Sequence, residues 1–219
     1  MKRILLSIIA GFTILAFAAC GNNMDYLDAP ESEDTKPEYI LIRNEQFSTS
    51  LTELHLRGMA LSDNDIAPIK YMTNLVRLDL RDNHISDISP LSGLTNLVRL
   101  NLRGNQISDI SQLSNLTNLG RLNLRDNQIT DISPLSNLTD LWRLNLRDNQ
   151  INNLSPLSGL INMTELNLRE NQIFDLSPLS SLTNLTELDL RNNQISDTSP
   201  LSDLTNLVEL DIRRNPIVD

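Results

Sequence analysis

Leu97-Val-Arg-Leu-Asn-Leu-Arg-Gly-Asn-Gln-Ile-Ser-Asp-Ile-Ser-Gln-Leu-Ser-Asn-Leu-Thr-Asn118 is followed, with few changes, by the same pattern over Leu119–Asp140 and again over Leu141–Asn162. A fixed period of 22 residues marks stacked coils of one supersecondary unit. Counted from its first leucine, each coil is apolar at positions 1, 4, 6, 11, 14, 17 and 20; in the second coil these are Leu75, Leu78, Leu80, Ile85, Ile88, Leu91 and Leu94. Positions 4 and 6 alternate with polar residues, as in a short strand with one buried face. Ile-Ser-Pro-Leu-x-x-Leu then predicts a turn and a short 3₁₀ or helical segment. One coil has too little apolar surface to bury alone, so the coils share a continuous core. The expected fold class is an α/β repeat solenoid.

Coils begin at Leu51, Leu75, Leu97, Leu119, Leu141, Met163, Leu185 and Leu207. The domain reading is a cap strand within 39–50, seven repeats over 51–206 and a partial repeat over 207–219. Tyr39-Ile-Leu-Ile-Arg43 supplies the cap strand, and Ser62-Asp-Asn-Asp65 has the form of a capping box opening a helical turn toward Met72. Solenoids normally end in a polar cap. Leu207, Leu210, Ile212 and Ile217 lack a covering coil, so weak end-to-end self-association is expected there, blunted by Arg213, Arg214 and Pro216.

Residues 1–19 stand outside the pattern. Lys2 and Arg3 precede an apolar run from Ile4 to Ala19, the layout of a secretory signal. Phe17-Ala-Ala-Cys20 resembles a bacterial lipobox, which implies that Cys20 becomes the lipid-carrying N-terminus of an exported, membrane-anchored protein facing the extracytoplasmic side. An uncleaved anchor or a free buried cysteine are the alternatives, although a comfortable span needs about 20 apolar residues. Cys20 is the only cysteine, so a lipidated chain has no intramolecular disulfide. Residues 20–38 then form an acidic tether, with Asp25, Asp28, Glu31, Glu33, Asp34 and Glu38 against Lys36 alone.

Leu-x-x-Leu-x-Leu-x-x-Asn-x-Ile-x-Asp-Ile-x-Pro-Leu-x-x-Leu-Thr-Asn, as it stands at Leu75–Asn96, resembles the leucine-rich repeat of the bacterial internalin type. The resemblance covers Leu51 to Asp219. It implies a curved horseshoe with a parallel β-sheet on the concave side, short 3₁₀ or helical turns on the convex side, and a partner protein held on the concave face.

Three columns bear on function. Asn83, Asn105, Asn127, Asn149, Asn171, Asn193 and Asn215 occupy position 9, where the chain leaves the strand among buried neighbours. A buried amide there must spend its donors and acceptor on nearby backbone, so this ladder is expected to be structural. Asp87, Asp109, Asp131, Asp175 and Asp197, with Asn153, recur at position 13. They suit either a calcium column or caps of the short turn; one carboxylate per coil is far from the six or more oxygens calcium takes. No metal or other cofactor is expected.

The third column is arginine, at position 7 in every coil and at position 3 in Arg77, Arg99, Arg121 and Arg143. Thirteen of the 15 arginines lie on these strand segments in a chain of net charge −10. Parallel strands about 4.8 Å apart make stacked guanidiniums repel by about 1 kcal/mol even in water. Asp126 and Asp148 are outnumbered in the middle by Arg99, Arg103, Arg121, Arg125, Arg143 and Arg147, and Trp142, the only tryptophan, falls beside them. These seven residues are the candidate site for an acidic protein partner, arginine and tryptophan being enriched in binding hot spots. A solvated charge ladder copied by duplication is the competing reading. An envelope scaffold and a binder of acidic polysaccharide are further alternatives. Nucleic acid fits poorly with an exported acidic chain. His55 and His84 are the only histidines, and neither belongs to a catalytic motif, so no enzymatic activity is expected.

Overall fold

A computed structural model describes residues 36–217. The signal segment, Cys20 and nearly all of the acidic tether lie outside the described residues. An antiparallel hairpin comes first, β1 (Tyr39–Ile42) and β2 (Glu45–Ser48), joined through Arg43 and Asn44 at φ 47° and 67°. Two central residues of positive φ make the tight mirror-type turn whose twist matches a hairpin. The cap is therefore two strands in a sheet of their own rather than one strand added to the solenoid. Ile40 and Ile42 are buried in the common core, with Phe47 packed against it. The chain is tied down even before β1. The Thr49 hydroxyl donates to the Pro37 carbonyl at 2.6 Å, and its N–H donates to Glu38 at 2.9 Å.

Eight parallel strands follow in sequence order: β3 (Glu53–His55), β4 (Arg77–Asp79), β5 (Arg99–Asn101), β6 (Arg121–Asn123), β7 (Arg143–Asn145), β8 (Glu165–Asn167), β9 (Glu187–Asp189) and β10 (Glu209–Asp211). Each is three residues long, because only the middle leucine and its two flanks are needed to hold register. The register stacks Leu78, Leu100, Leu122, Leu144, Leu166 and Leu188 directly on one another, each at most 2% exposed. Leu144→Ala would open a cavity costing about 2–5 kcal/mol.

On the opposite side, each later coil turns through a 3₁₀ segment such as Ser89–Leu91 or Ser133–Leu135. Pro90 and Pro134 sit at its start, where a locked φ helps and a missing N–H costs nothing. The first coil is two residues longer and spends them on a real helical turn, α1 (Asp63–Ile66), continued by a 3₁₀ segment over Ala67–Tyr71. Asp65 reaches back to accept from the Ser62 N–H at 2.8 Å and hydroxyl at 2.7 Å.

The position-9 ladder joins coil to coil. Asn149 Nδ2 donates to the carbonyls of Leu124 and Leu146, both at 3.0 Å, while its Oδ1 accepts the Ile129 N–H at 3.0 Å. The same three bonds recur at Asn105, Asn127, Asn171, Asn193 and Asn215. Asn83 accepts two N–H groups, from Met59 and Leu61. A second ladder runs at position 22: Asn96, Asn118, Asn162, Asn184 and Asn206 each donate to a carbonyl of the preceding coil at 2.8–3.0 Å. Asp140 interrupts it, its side-chain carboxylate having no N–H to give.

Position 13 supplies turn caps. Asp87 accepts the Ser89 N–H at 2.8 Å and its hydroxyl at 3.0 Å, and Asp109, Asp131 and Asp197 repeat both bonds. Asn153 keeps only the backbone bond, to Ser155 at 2.9 Å. Donation from Ser111, Ser177 and Ser199 holds the Asp109, Asp175 and Asp197 carboxyls below their ordinary value. Among the described residues, no three metal-ligating side chains converge.

Candidate functional site

Strand alternation sends positions 4 and 6 inward and leaves positions 3, 5 and 7 on the concave face. Position 5 is used locally. Asn101, Asn123, Asn145 and Asn167 each accept the backbone N–H of the arginine two residues on, at 3.0–3.2 Å. Position 8 is the turn residue, in left-handed backbone at φ 55–66° from Gly58 through Asp82, Gly104, Asp126, Asp148, Glu170 and Asn192 to Arg214. That conformation explains the glycine, aspartate and asparagine found there. At Gly104 the need is also steric, since an added Cβ would stand 2.8 Å from Asp82 Oδ1.

The position-7 arginines are largely spoken for. Arg103 and Arg125 share Asp126, at 3.2 and 3.1 Å. Arg147 and Arg169 share Glu170, at 3.3 and 2.8 Å. Arg191 and Arg213 pair with Asp189 and Asp211, the latter carboxyl being pushed down to about 2 by its hydrogen bonds from Arg213. Asp148 behaves differently: burial, then neighbouring Asp126 and Glu170, push its carboxyl upward.

Position 3 divides. Arg77 is held by Glu53 at 2.6 Å and Arg143 by Glu165 at 2.6 Å. Between them Arg99 and Arg121 face each other in register and, among the described residues, no carboxylate forms an ion pair with either. Burial, then Arg143 and Arg99, hold the Arg121 guanidinium below its ordinary value. It remains charged at any physiological pH. Of the seven candidate residues, the structure thus leaves Arg99 and Arg121 unpaired with carboxylates, gives Arg143 a partner, and places Arg103, Arg125 and Arg147 in shared ion pairs.

Trp142 completes the centre. Its ring lies 5.3 Å from the Arg121 guanidinium carbon, in cation–π range. The space for it comes from Gly120 on the adjacent coil, where a Cβ would stand 2.8 Å from the indole Nε1. Gly120 interrupts a column otherwise filled by valine, threonine and Trp142, a signal that the sequence carries but whose meaning needs the neighbouring coil. The indole is 36% exposed, half packed and half presented. The strands from β3 to β7 border a shallow concave groove of about 370 Å³, with Arg77, Arg99, Arg121 and Arg143 along it.

A family profile described as "Leucine Rich repeats (2 copies)" matches residues 49–93, 73–115, 95–137 and 183–219. The chain belongs to the leucine-rich repeat family. A solved structure of internalin C2 from Listeria monocytogenes is 38% identical to it, with 80% of this chain and 79% of that one covered at a TM-score of 0.76. The ectodomain of the Arabidopsis thaliana receptor kinase GASSHO1/SCHENGEN3 is 25% identical over 70% of this chain, at a TM-score of 0.64. This chain spans only 20% of that ectodomain's length. The functional domain of InlJ from Listeria monocytogenes shares the fold at 23% identity and a TM-score of 0.62, covering 80% of this chain and 43% of that one. That domain includes a cysteine ladder; the repeats here carry asparagine ladders and no cysteine. Comparison with curated protein sequences yields no match. This leucine-rich repeat domain is thus internalin-like, a fold typical of protein-binding modules.

Proposed function

We propose that this leucine-rich repeat protein is a recognition module without a reaction of its own, holding a protein partner on its concave face at Arg99, Arg121 and Trp142. The observation that carries the reading is the pair of in-register arginines without a carboxylate partner among the described residues, beside the only tryptophan. A partner carboxylate placed between them relieves their mutual repulsion, and each bidentate contact is charge-assisted. Among the described residues, the position-13 carboxylates and their serines already serve as turn caps, which supports recognition over catalysis. The solved Arabidopsis ectodomain in complex with Casparian strip integrity factor 2 supports protein recognition by this architecture. A polyanionic glycan fits less well, because Glu165, Glu187 and Glu209 continue the same column. Lipidation of Cys20 would present the domain on the outer side of a bacterial membrane, and an acyl mass on the N-terminal peptide is the check.

The functional test is capture by the full chain against an Arg99→Glu, Arg121→Glu variant, with bound proteins identified by mass spectrometry. Loss of one partner from the variant alone, at unchanged urea midpoint, is the expected result. Identical capture by both chains would return these arginines to solvated decoration.

A further inference from the structure

Along position 3 the charge follows a block pattern. The column runs Glu53, then Arg77 to Arg143, then Glu165, Glu187 and Glu209, each facing its neighbour in register. Where the sign changes, the facing residues neutralise one another, Arg77 with Glu53 and Arg143 with Glu165. What is left is one like-charged pair on each side of the second boundary. Arg99 and Arg121 make the basic pair; Glu187 and Glu209, both exposed and in no ion pair among the described residues, make the acidic pair. Aspartates further along do not blunt the contrast, since Asp189 and Asp211 are already bonded by Arg191 and Arg213. Four strand steps separate the centres of the two pairs, about 19 Å at the usual spacing.

We infer that the concave face takes an extended polypeptide segment of two-signed charge, its acidic residues over Arg99 and Arg121 and its basic residues over Glu187 and Glu209. About six residues of extended chain span that distance at about 3.3 Å each. Between the two zones the mutually neutralised Arg143 and Glu165, with the uncharged Asn145 and Asn167, leave the intervening residues of the segment unselected by charge. The inference rests on the concave-face reading above and adds to it the chemistry of the occupant. A purely acidic ligand satisfies one pair and meets repulsion at the other; a bipolar one satisfies both. Opposed charge on the two halves also fixes which way along the sheet the segment lies.

The test uses three labelled synthetic peptides and the full chain, followed by fluorescence anisotropy at low salt. The first peptide reads Asp-Ser-Asp, then a three-residue Ser/Gly spacer, then Lys-Ser-Lys, which puts all four charges on one face of an extended chain; the second replaces the lysines by serine; the third omits the spacer. The first should bind about tenfold tighter than the others, the yield of two further exposed ion pairs. Glu187→Arg with Glu209→Arg should remove that advantage and improve the second peptide. Adding Arg99→Glu and Arg121→Glu to that variant should restore binding of the first peptide, now lying the other way round. All four positions are on the surface, and circular dichroism confirms that each variant is folded. Equal affinity for the first and second peptides, both lost in the Arg99→Glu, Arg121→Glu variant, would overturn the bipolar occupant while leaving the arginine site standing. Affinities that ignore the arginine changes altogether would overturn both.

Discussion

The bend after each strand and the concave column six residues before it are built from the same repeat but follow opposite rules. At the bend, asparagine stands in every coil from Asn83 to Asn215, and each donates to one carbonyl of its own coil and one of the coil before. On the concave column, the residue changes from glutamate to arginine and back while the backbone pairing stays uniform. A column that never varies is one whose side chain completes the backbone's hydrogen bonding. A column whose charge changes while the pairing stays the same is one the fold does not read, and there recognition can be written without loss of stability.

The largest effect that tests this contrast is expected at the bend. Asn149→Ala strands the Leu124 and Leu146 carbonyls and the Ile129 N–H, at about 2–3 kcal/mol, read as a lower urea midpoint. Asn149→Asp should also destabilise, because a carboxylate cannot donate to two carbonyls. Arg121→Gln should stay within about 0.5 kcal/mol of the parent. A comparable loss from Arg121→Gln would erase the distinction between the columns.

Acid should act on the carboxylates in the turns and at the arginine pairs. Asp109, Asp175, Asp197 and Asp211 have folded values below the unfolded value of about 3.9. Their contribution is therefore present above about pH 4 and is lost as pH falls through the folded values; for Asp211 that is complete only below about 2. Asp148, pushed upward, has the opposite sign and gains on protonation. The urea midpoint should fall steadily below pH 4, and Asp175→Asn should flatten the fall slightly while keeping the Ser177 N–H bond, as Asn153 keeps its own. A midpoint independent of pH between 5 and 2.5 would contradict the caps.

The smallest effect is local. Gly120→Ala places a methyl against the Trp142 indole and displaces the ring, so the emission of this sole tryptophan should shift. Unchanged emission would mean that the indole is not seated over Gly120.

The period, the seven apolar positions and the asparagine bend were legible because leucine and asparagine recur where backbone geometry repeats. The hairpin was not, since Arg43-Asn44 lacks the Asn-Gly or Asp-Gly signature that announces a tight turn. Nor was the neutralisation of Arg143 and Arg147. Glu165 and Glu170 approach them from 22 and 23 residues away, and only the side-chain conformations decide which guanidinium each carboxylate takes. Position 8, where Asp126 and Asp148 stand against the arginines, is first of all a set of left-handed turn residues. The position-22 ladder lay open in the sequence, obscured only by Asp140.

Because every Asn149-type bond set reaches only from one coil to the next, a whole coil inserted or removed leaves each junction chemically identical. The distance between the basic and acidic pairs would then change in whole steps of about 4.8 Å and in no other amount. The repeat thus works as a ruler with fixed graduations. Copying the β7 and β8 coils together, whose Arg143 and Glu165 neutralise one another, would lengthen the segment that fits without redesigning a single contact in the core.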